Sequence, residues 1–388
     1  MKSFCLSLPI FFLPLLFSSC KKDPPPDLPK PSFTHFYGTA GDETGMQVKL
    51  LNDGGIVVCG YGAGPNGGTD MILMKTDNEG NEKWLKYFGG SGNETCWSFD
   101  KTSDGGFILG GSTNSFGFGG DDFYIVKTDG DGNVQWTKTY GGAHNDDATD
   151  IRTLANGYFV CGSYNSGHDD NAWMLRLDNN GDSLWSYNCG GNGGDGAMSS
   201  CESANGNHVV VGYTNSTLTN STDGFLLLLD DSGRQTAFYD FGTAGYDEPH
   251  TVVPAIDGNG WVISGHTGAS TNLVTHDVFI RAIGNNGVQR WYYTYGGAQH
   301  DGAEDMCVSG NTYAIAARSN SRANSGEDVY FLLINSDGTL KKQSWLGTSS
   351  NDGAYGIAAD HESFILSGYS NGGVYGGEDI YLLRVPAE

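Results

Sequence analysis

Carboxylates are the groups with which this chain could do most chemistry, and they recur at fixed intervals. Seven glycines, Gly38, Gly89, Gly141, Gly190, Gly242, Gly296 and Gly347, mostly in the pattern aromatic-Gly-Gly/Thr, are spaced 51, 52, 49, 52, 54 and 51 residues apart. Five residues after each stands Glu43, Glu94, Asp146, Asp195, Asp247, Asp301 or Asp352. A second series, Asp70, Asp122, Asn171, Asp223, Asp277, Asp328 and Asp379, precedes an apolar run in every repeat. Such acids could bind cations or a basic partner, or accept backbone N–H bonds that hold loops. A residue demanded in every repeat is the mark of a structural part, so loop-holding is the preferred reading. Histidines break the pattern: His144, His168, His250, His276 and His300 cluster in the middle repeats. His250, His276 and His300 could converge with Asp277 and Asp301 on a transition ion. Solvated loop histidines are the plainer reading, so no metal is expected there. Asp129-Gly130-Asp131-Gly132-Asn133 would suit calcium but lacks the bidentate acid of an EF-hand loop, and reads as a hairpin turn. No cofactor is expected, calcium being the one candidate.

The elements that must position these residues are short strands. Each repeat holds four β-patterned runs, in the first about 46–51, 56–61, 71–76 and 83–88. Turn sequences such as Asn52-Asp53-Gly54-Gly55 and Asp77-Asn78-Glu79-Gly80 join them. Four antiparallel strands every fifty or so residues make a propeller blade. Before the first marker glycine stands one lone run with Phe33 where other repeats have Trp84, Trp136, Trp185 or Trp291, and the last repeat ends three runs long. The first strand therefore completes the last blade, and an all-β, seven-bladed β-propeller closed by its N-terminal strand is predicted over residues 32–388.

In such a ring the first run of each repeat lines a central channel. Eleven residues after the markers stand Lys49, Asp100 and Arg152 in consecutive blades, then Cys201, Val253, Cys307 and Ala358. The charged row is expected to pair along one side of the channel. Trp97 and Tyr355 are placed at the channel mouth as candidates for stacking on a ligand, with packing between blades as the simpler role. With His250, His276 and His300, these residues form the candidate binding face. Zinc-protease and phosphate-loop motifs are absent, and no catalytic residue stands out.

Asp77-x-x-Gly80-x-x-x-Trp84, repeated at Asp129/Gly132/Trp136 and Asp178/Gly181/Trp185, resembles the tryptophan-docking repeat of quinoprotein-type propellers. That group includes quinone-dependent dehydrogenases and the propeller lipoprotein of outer-membrane-protein assembly. The closer likeness is to bacterial secreted propeller-repeat proteins with Asp-Gly-Gly-(Phe/Tyr) and Tyr-Gly-Gly signatures. The resemblance spans residues 32–388 and implies a fold, not an activity. Vicinal cysteines like those of some quinone-dependent dehydrogenases are missing, and Ala237 and Lys342 replace the docking tryptophan, so looser packing is expected there.

Residues 1–19 read as a secretory signal, too short and proline-broken to span a bilayer. Phe17-Ser18-Ser19-Cys20 resembles a bacterial lipobox, which makes Cys20 the expected lipidation site. Residues 20–31, with five prolines, would be an extended tether. The formal net charge of −24 disfavours nucleic acid and anionic lipid as direct partners. Cys59, Cys96, Cys161, Cys189, Cys201 and Cys307 are read as free thiols, with Cys189–Cys201 the one pair to check. The sequence thus describes an outer-membrane lipoprotein, on the cell surface or the periplasmic side. Its monomeric propeller would touch the membrane only through its anchor and bind a protein or polysaccharide partner. The alternative is a polysaccharide-acting hydrolase or lyase.

Overall fold

The computed structural model describes residues 31–216, 221–268, 275–322 and 326–387. The signal, Cys20 and nearly all of the tether lie outside them. The described residues form twenty-eight strands in seven antiparallel sheets of four. Blade one shows the pattern: β2 (Glu43–Leu50) lies innermost, followed outward by β3 (Ile56–Ala63), β4 (Thr69–Thr76) and β5 (Glu82–Phe88). Six blades are continuous in sequence. The seventh is completed by β1 (Phe33–Tyr37), which pairs with β28 (Asp379–Pro386) from Phe33↔Arg384 to Tyr37↔Ile380. The chain is a seven-bladed β-propeller, closed as its two incomplete ends require.

The core is divided. Seven apolar clusters each draw on two neighbouring blades. Across the closure, Tyr37, Ile365, Ile380 and Leu382 of blade seven meet Val48, Ile56, Val58 and Met74 of blade one. Middle strands are covered on both faces, which is why they read as unbroken apolar runs such as Ile72-Leu73-Met74. Outer strands contribute the docking rings. A Cβ on Gly132, Gly181, Gly233 or Gly338 would strike Trp84, Trp136, Trp185 or Trp291 of the preceding blade. The ring of each tryptophan lies flush on the next blade's outer hairpin. Where Ala237 stands instead, Tyr239 covers Gly287, so that junction keeps an aromatic dock and is not the loose one expected. Where Phe33 stands, His35 covers Gly80, and Arg384 sits 5.4 Å over the Phe33 ring.

The innermost strands share one irregularity. These are β2, β6 (Glu94–Lys101), β10 (Asp146–Leu154), β14 (Asp195–Glu202), β18 (Tyr246–Pro254), β22 (Asp301–Ser309) and β26 (Asp352–Ala359). Each carries a β-bulge at its fourth or fifth residue, eight positions after the marker glycine. The bulge drives the inner strand onto its neighbour. A Cβ on Gly60, Gly111, Gly162, Gly212, Gly265 or Gly368 would sit 1.8–2.0 Å from a carbonyl oxygen of the inner strand, so in these six blades the approach requires glycine. In blade six Ala317 occupies the equivalent place.

Candidate binding site at the upper mouth of the channel

The extra residue of each bulge is Met46, Trp97, Thr149, Met198, His250, Glu304 or Tyr355. In a regular strand, alternate residues share a face. Here the core-facing residues are three apart, as in Cys96 and Phe99, Ala148 and Ile151, or Ala303 and Met306. The inserted residue is re-aimed into the channel. All seven line one cavity of about 310 Å³, at the mouth whose face carries the links between blades. Gln47, Arg152, Thr251 and Asp305 are shared with the wall of the lower cavity, about 590 Å³ in volume. The seven mouth residues include no two blades in succession with the same residue, although the positions around them repeat. Trp97 is 39% exposed.

Blades five to seven add a charged network. Glu304 Oε1 accepts from Arg318 Nε at 2.8 Å, and Glu304 Oε2 lies 3.1 Å from His250 Nδ1. Burial alone would raise the Glu304 pKa, but Arg318 and His250 outweigh it and hold the carboxyl well below the usual range. Arg318 also sits 5.0 Å over the Tyr355 ring and reaches Glu327 at 3.4 Å. Glu248 faces His250 Nε2 at 3.8 Å and His266 Nε2 at 3.4 Å, and accepts the Tyr246 hydroxyl. Although burial opposes it, the His266 hydrogen bond and the nearby His250 bring Glu248 down to about 2. His266 is the hub, with its ring 4.8 Å from His250, 5.2 Å from His276 and 5.9 Å from His300. Burial, with His266 and His300 beside it, lowers the His276 pKa.

The structure thus brings His250, His276 and His300 together, but around Glu248 and Glu304. Asp277 and Asp301 are not their partners, because both carboxylates are packed on Gly296, where a Cβ would meet them at 2.2 and 2.7 Å. His144 and His168 are exposed loop residues. His266, Glu248 and Glu304 escaped the sequence reading. Glu248 and His266 are direct cross-strand partners between β18 and β19 (Trp261–Gly268), which counting back from the hairpin turn would have found.

The two acid series belong to the frame. In every blade the first-series carboxylate (Glu43, Glu94, Asp146, Asp195, Asp247, Asp301, Asp352) accepts the N–H of the residue after the marker glycine, at 2.5–2.9 Å. Each marker glycine is also pressed by the second-series side chain: Asp379, Asp70, Asp122, Asn171, Asp223, Asp277 or Asp328. A methyl group would collide with carboxylates at 1.9–2.8 Å, which explains the invariant glycine. At the lower mouth Lys49 Nζ pairs with Asp100 at 2.8 Å, while Arg152 takes Asp150 at 3.0 Å. Arg152 is therefore paired within its own strand. Asp150 is fully used, accepting also from Ser98 and Ser200. All six cysteines of the described residues are free, Cys189 and Cys201 included.

These features define a β-propeller whose channel mouths vary from blade to blade within a repetitive frame. No family model and no curated protein matches the chain. Among solved structures it is similar to a protein of unknown function from Dyadobacter fermentans DSM 18053. That likeness has a TM-score of 0.51 at 16% identity, over 92% of this chain and 99% of that one. It is also similar to the polysaccharide lyase Uly1, with TM-score 0.55 and 10% identity over 89% and 90% of the two chains. A puromycin hydrolase mutant gives TM-score 0.56 at 11% identity, over 88% of this chain but only 52% of that one. At such identities the likeness establishes the fold alone.

Proposed function

We propose that the chain is an exported, lipid-anchored propeller that binds a neutral or basic polysaccharide at the upper mouth of its channel. The observation that carries this reading is the ring of seven bulge residues of six different types, with the half-open Trp97 ring and Tyr355 among them. A cavity of about 310 Å³ has the dimensions of a small-ligand site, roughly 300–1,000 Å³. It takes a chain end or a few sugar rings. A stable protein partner needs roughly 800 Å² of contact surface instead. Aromatic faces accept the apolar faces of sugar rings, and the surrounding carboxylates and Arg152 accept or donate to hydroxyls. The acidic surface, at −24 overall, disfavours polyanionic glycans. Calorimetric titration of purified protein with a panel of neutral, basic and acidic oligosaccharides tests the proposal. Binding confined to neutral or basic members supports it. Recovery of a protein partner by crosslinking, with no glycan bound, would overturn it.

One observation favours the alternative of a polysaccharide-acting enzyme. The Arg318–Glu304–His250 chain, with Tyr246 and Glu248 beside it, places a held imidazole at the cavity wall, which is the equipment of general acid–base chemistry. Turnover of a bound glycan, lost in His250→Gln with binding retained, would establish that reading.

A further inference from the structure

We propose that Glu248, His250 and His266 form a binding site for a divalent transition ion of the zinc class at the rim of the upper mouth. The inference does not depend on the saccharide reading, since its geometry and its test involve no glycan.

Three donor atoms of these residues lie within 4.8 Å of one another. The imidazole Nε2 atoms of His250 and His266 both face the Glu248 carboxylate, at 3.8 and 3.4 Å. Ligand atoms about 2.0–2.2 Å from a tetrahedral zinc ion stand roughly 3.3–3.6 Å apart. His266 Nε2 and Glu248 Oε2 already meet this at 3.4 Å, and His250 Nε2, 3.8 Å from the other carboxylate oxygen, closes on the same point by a small side-chain adjustment. Nitrogen donors exclude a calcium-type site, which wants oxygen alone.

The surroundings are those a metal site requires. His250 Nε2 is buried with no hydrogen-bond partner, while Nδ1 is fixed by Glu304 and Glu304 in turn by Arg318. A ligating histidine held from behind by a carboxylate is the usual outer-shell arrangement, setting both ring orientation and tautomer. The Tyr246 hydroxyl fixes the Glu248 carboxylate in the same way. Buried nitrogens of His266 and His276 also lack partners, so the cluster holds more donor capacity than its own contacts satisfy. Gly302 leaves room there: a Cβ on it would stand 3.5 Å from both His266 Nδ1 and His300 Nε2. Three protein ligands leave a fourth position. His250 lines the mouth cavity while its Nε2 is buried, so that position lies just behind the cavity wall. Two histidines and one glutamate with an open fourth position is the ligand set of a working zinc centre, not of a closed structural one.

Chelator-treated protein titrated with zinc chloride in a calorimeter should take up one ion per chain. His250→Ala and His266→Ala should each abolish that uptake, and Glu304→Gln should weaken it about 10- to 100-fold. X-ray absorption of the zinc-loaded wild-type protein should show a shell of two imidazoles with oxygen donors, a readout that does not depend on any variant folding. Absence of stoichiometric uptake, uptake unchanged in both histidine variants, or a shell without imidazole would overturn the proposal.

Discussion

Glu304 stands between His250 and Arg318, 3.1 Å from the imidazole Nδ1 and 2.8 Å from the guanidinium Nε, and so ties blade five to blade six at the channel mouth. His250 and Glu304 are bulge residues of adjacent inner strands. The relationship exists only because both strands are kinked at the same place.

Removing the central member should therefore be costly. Glu304 is 7% exposed at its side chain, and Glu304→Ala leaves the half-buried Arg318 only its longer contact to Glu327 while removing the partner of His250 Nδ1. Breaking one partner of a buried pair costs about 3–5 kcal/mol. Denaturant unfolding should show Glu304→Ala losing about 3 kcal/mol, with Glu304→Met/Arg318→Met recovering much of it. A loss under about 1 kcal/mol would mean the pair is solvent-screened.

The acid pairs around the marker glycines predict a pH effect of definite sign. Burial, with Glu94 alongside, pushes Asp70 up to about 6, whereas an unfolded aspartate titrates near 3.9. The folded state therefore holds a proton that the unfolded chain has released. This favours folding at the acid end of that window, and the contribution is lost as pH rises through about 6. Asp70→Asn removes the repulsion, as Asn171 does naturally in blade three. Its melting temperature should exceed wild type by about 2 °C at pH 7.5, and the difference should vanish near pH 4.

Glycines opposite the bulges should resist substitution. A Cβ at Gly111 would lie 1.8 Å from the Thr95 carbonyl oxygen. Gly111→Ala should cost about 2–3 kcal/mol in denaturant unfolding, as overpacking a filled interior does. The mild reverse change Ala317→Gly, where blade six has already adapted, should cost less than about 1 kcal/mol, near the strand-interior penalty of glycine.

Thiol chemistry should be slow. Burial raises Cys201 to about 12 and Cys189 to about 11, and thiolate is the reactive form. A thiol reagent at pH 8 should label the folded protein many times more slowly than the unfolded one. Rapid labelling of several thiols in the folded protein would contradict their burial.

What could be seen from the sequence follows from what repeats. The blades show because each must present the same turns, apolar runs and docking ring, and closure shows because Phe33 occupies the tryptophan position in a lone β-patterned run while the last repeat holds three. Tyr239 was hidden because it docks from two residues beyond Ala237, where a neighbouring side chain substitutes for the missing one. The mouth was half visible. Trp97, Tyr355 and His250 were separately suspect, yet their shared position was concealed, because a bulge changes the facing of every residue after it without leaving a residue type behind. The same bulge hides Glu304. His266 was masked by the apolar run Val262-Ile263-Ser264-Gly265 that leads into it.

The mouth is tested most directly by calorimetric titration of an oligosaccharide that binds the wild-type protein, repeated on Trp97→Ala and on Leu184→Ala, an exposed apolar residue of an outer strand. Loss of one aromatic stacking partner is worth about 0.5–1.5 kcal/mol, so Trp97→Ala should weaken binding about 2- to 12-fold while Leu184→Ala leaves it unchanged. Equal affinity in the wild type and Trp97→Ala, or an equal loss in Leu184→Ala, would contradict a binding site at the upper mouth.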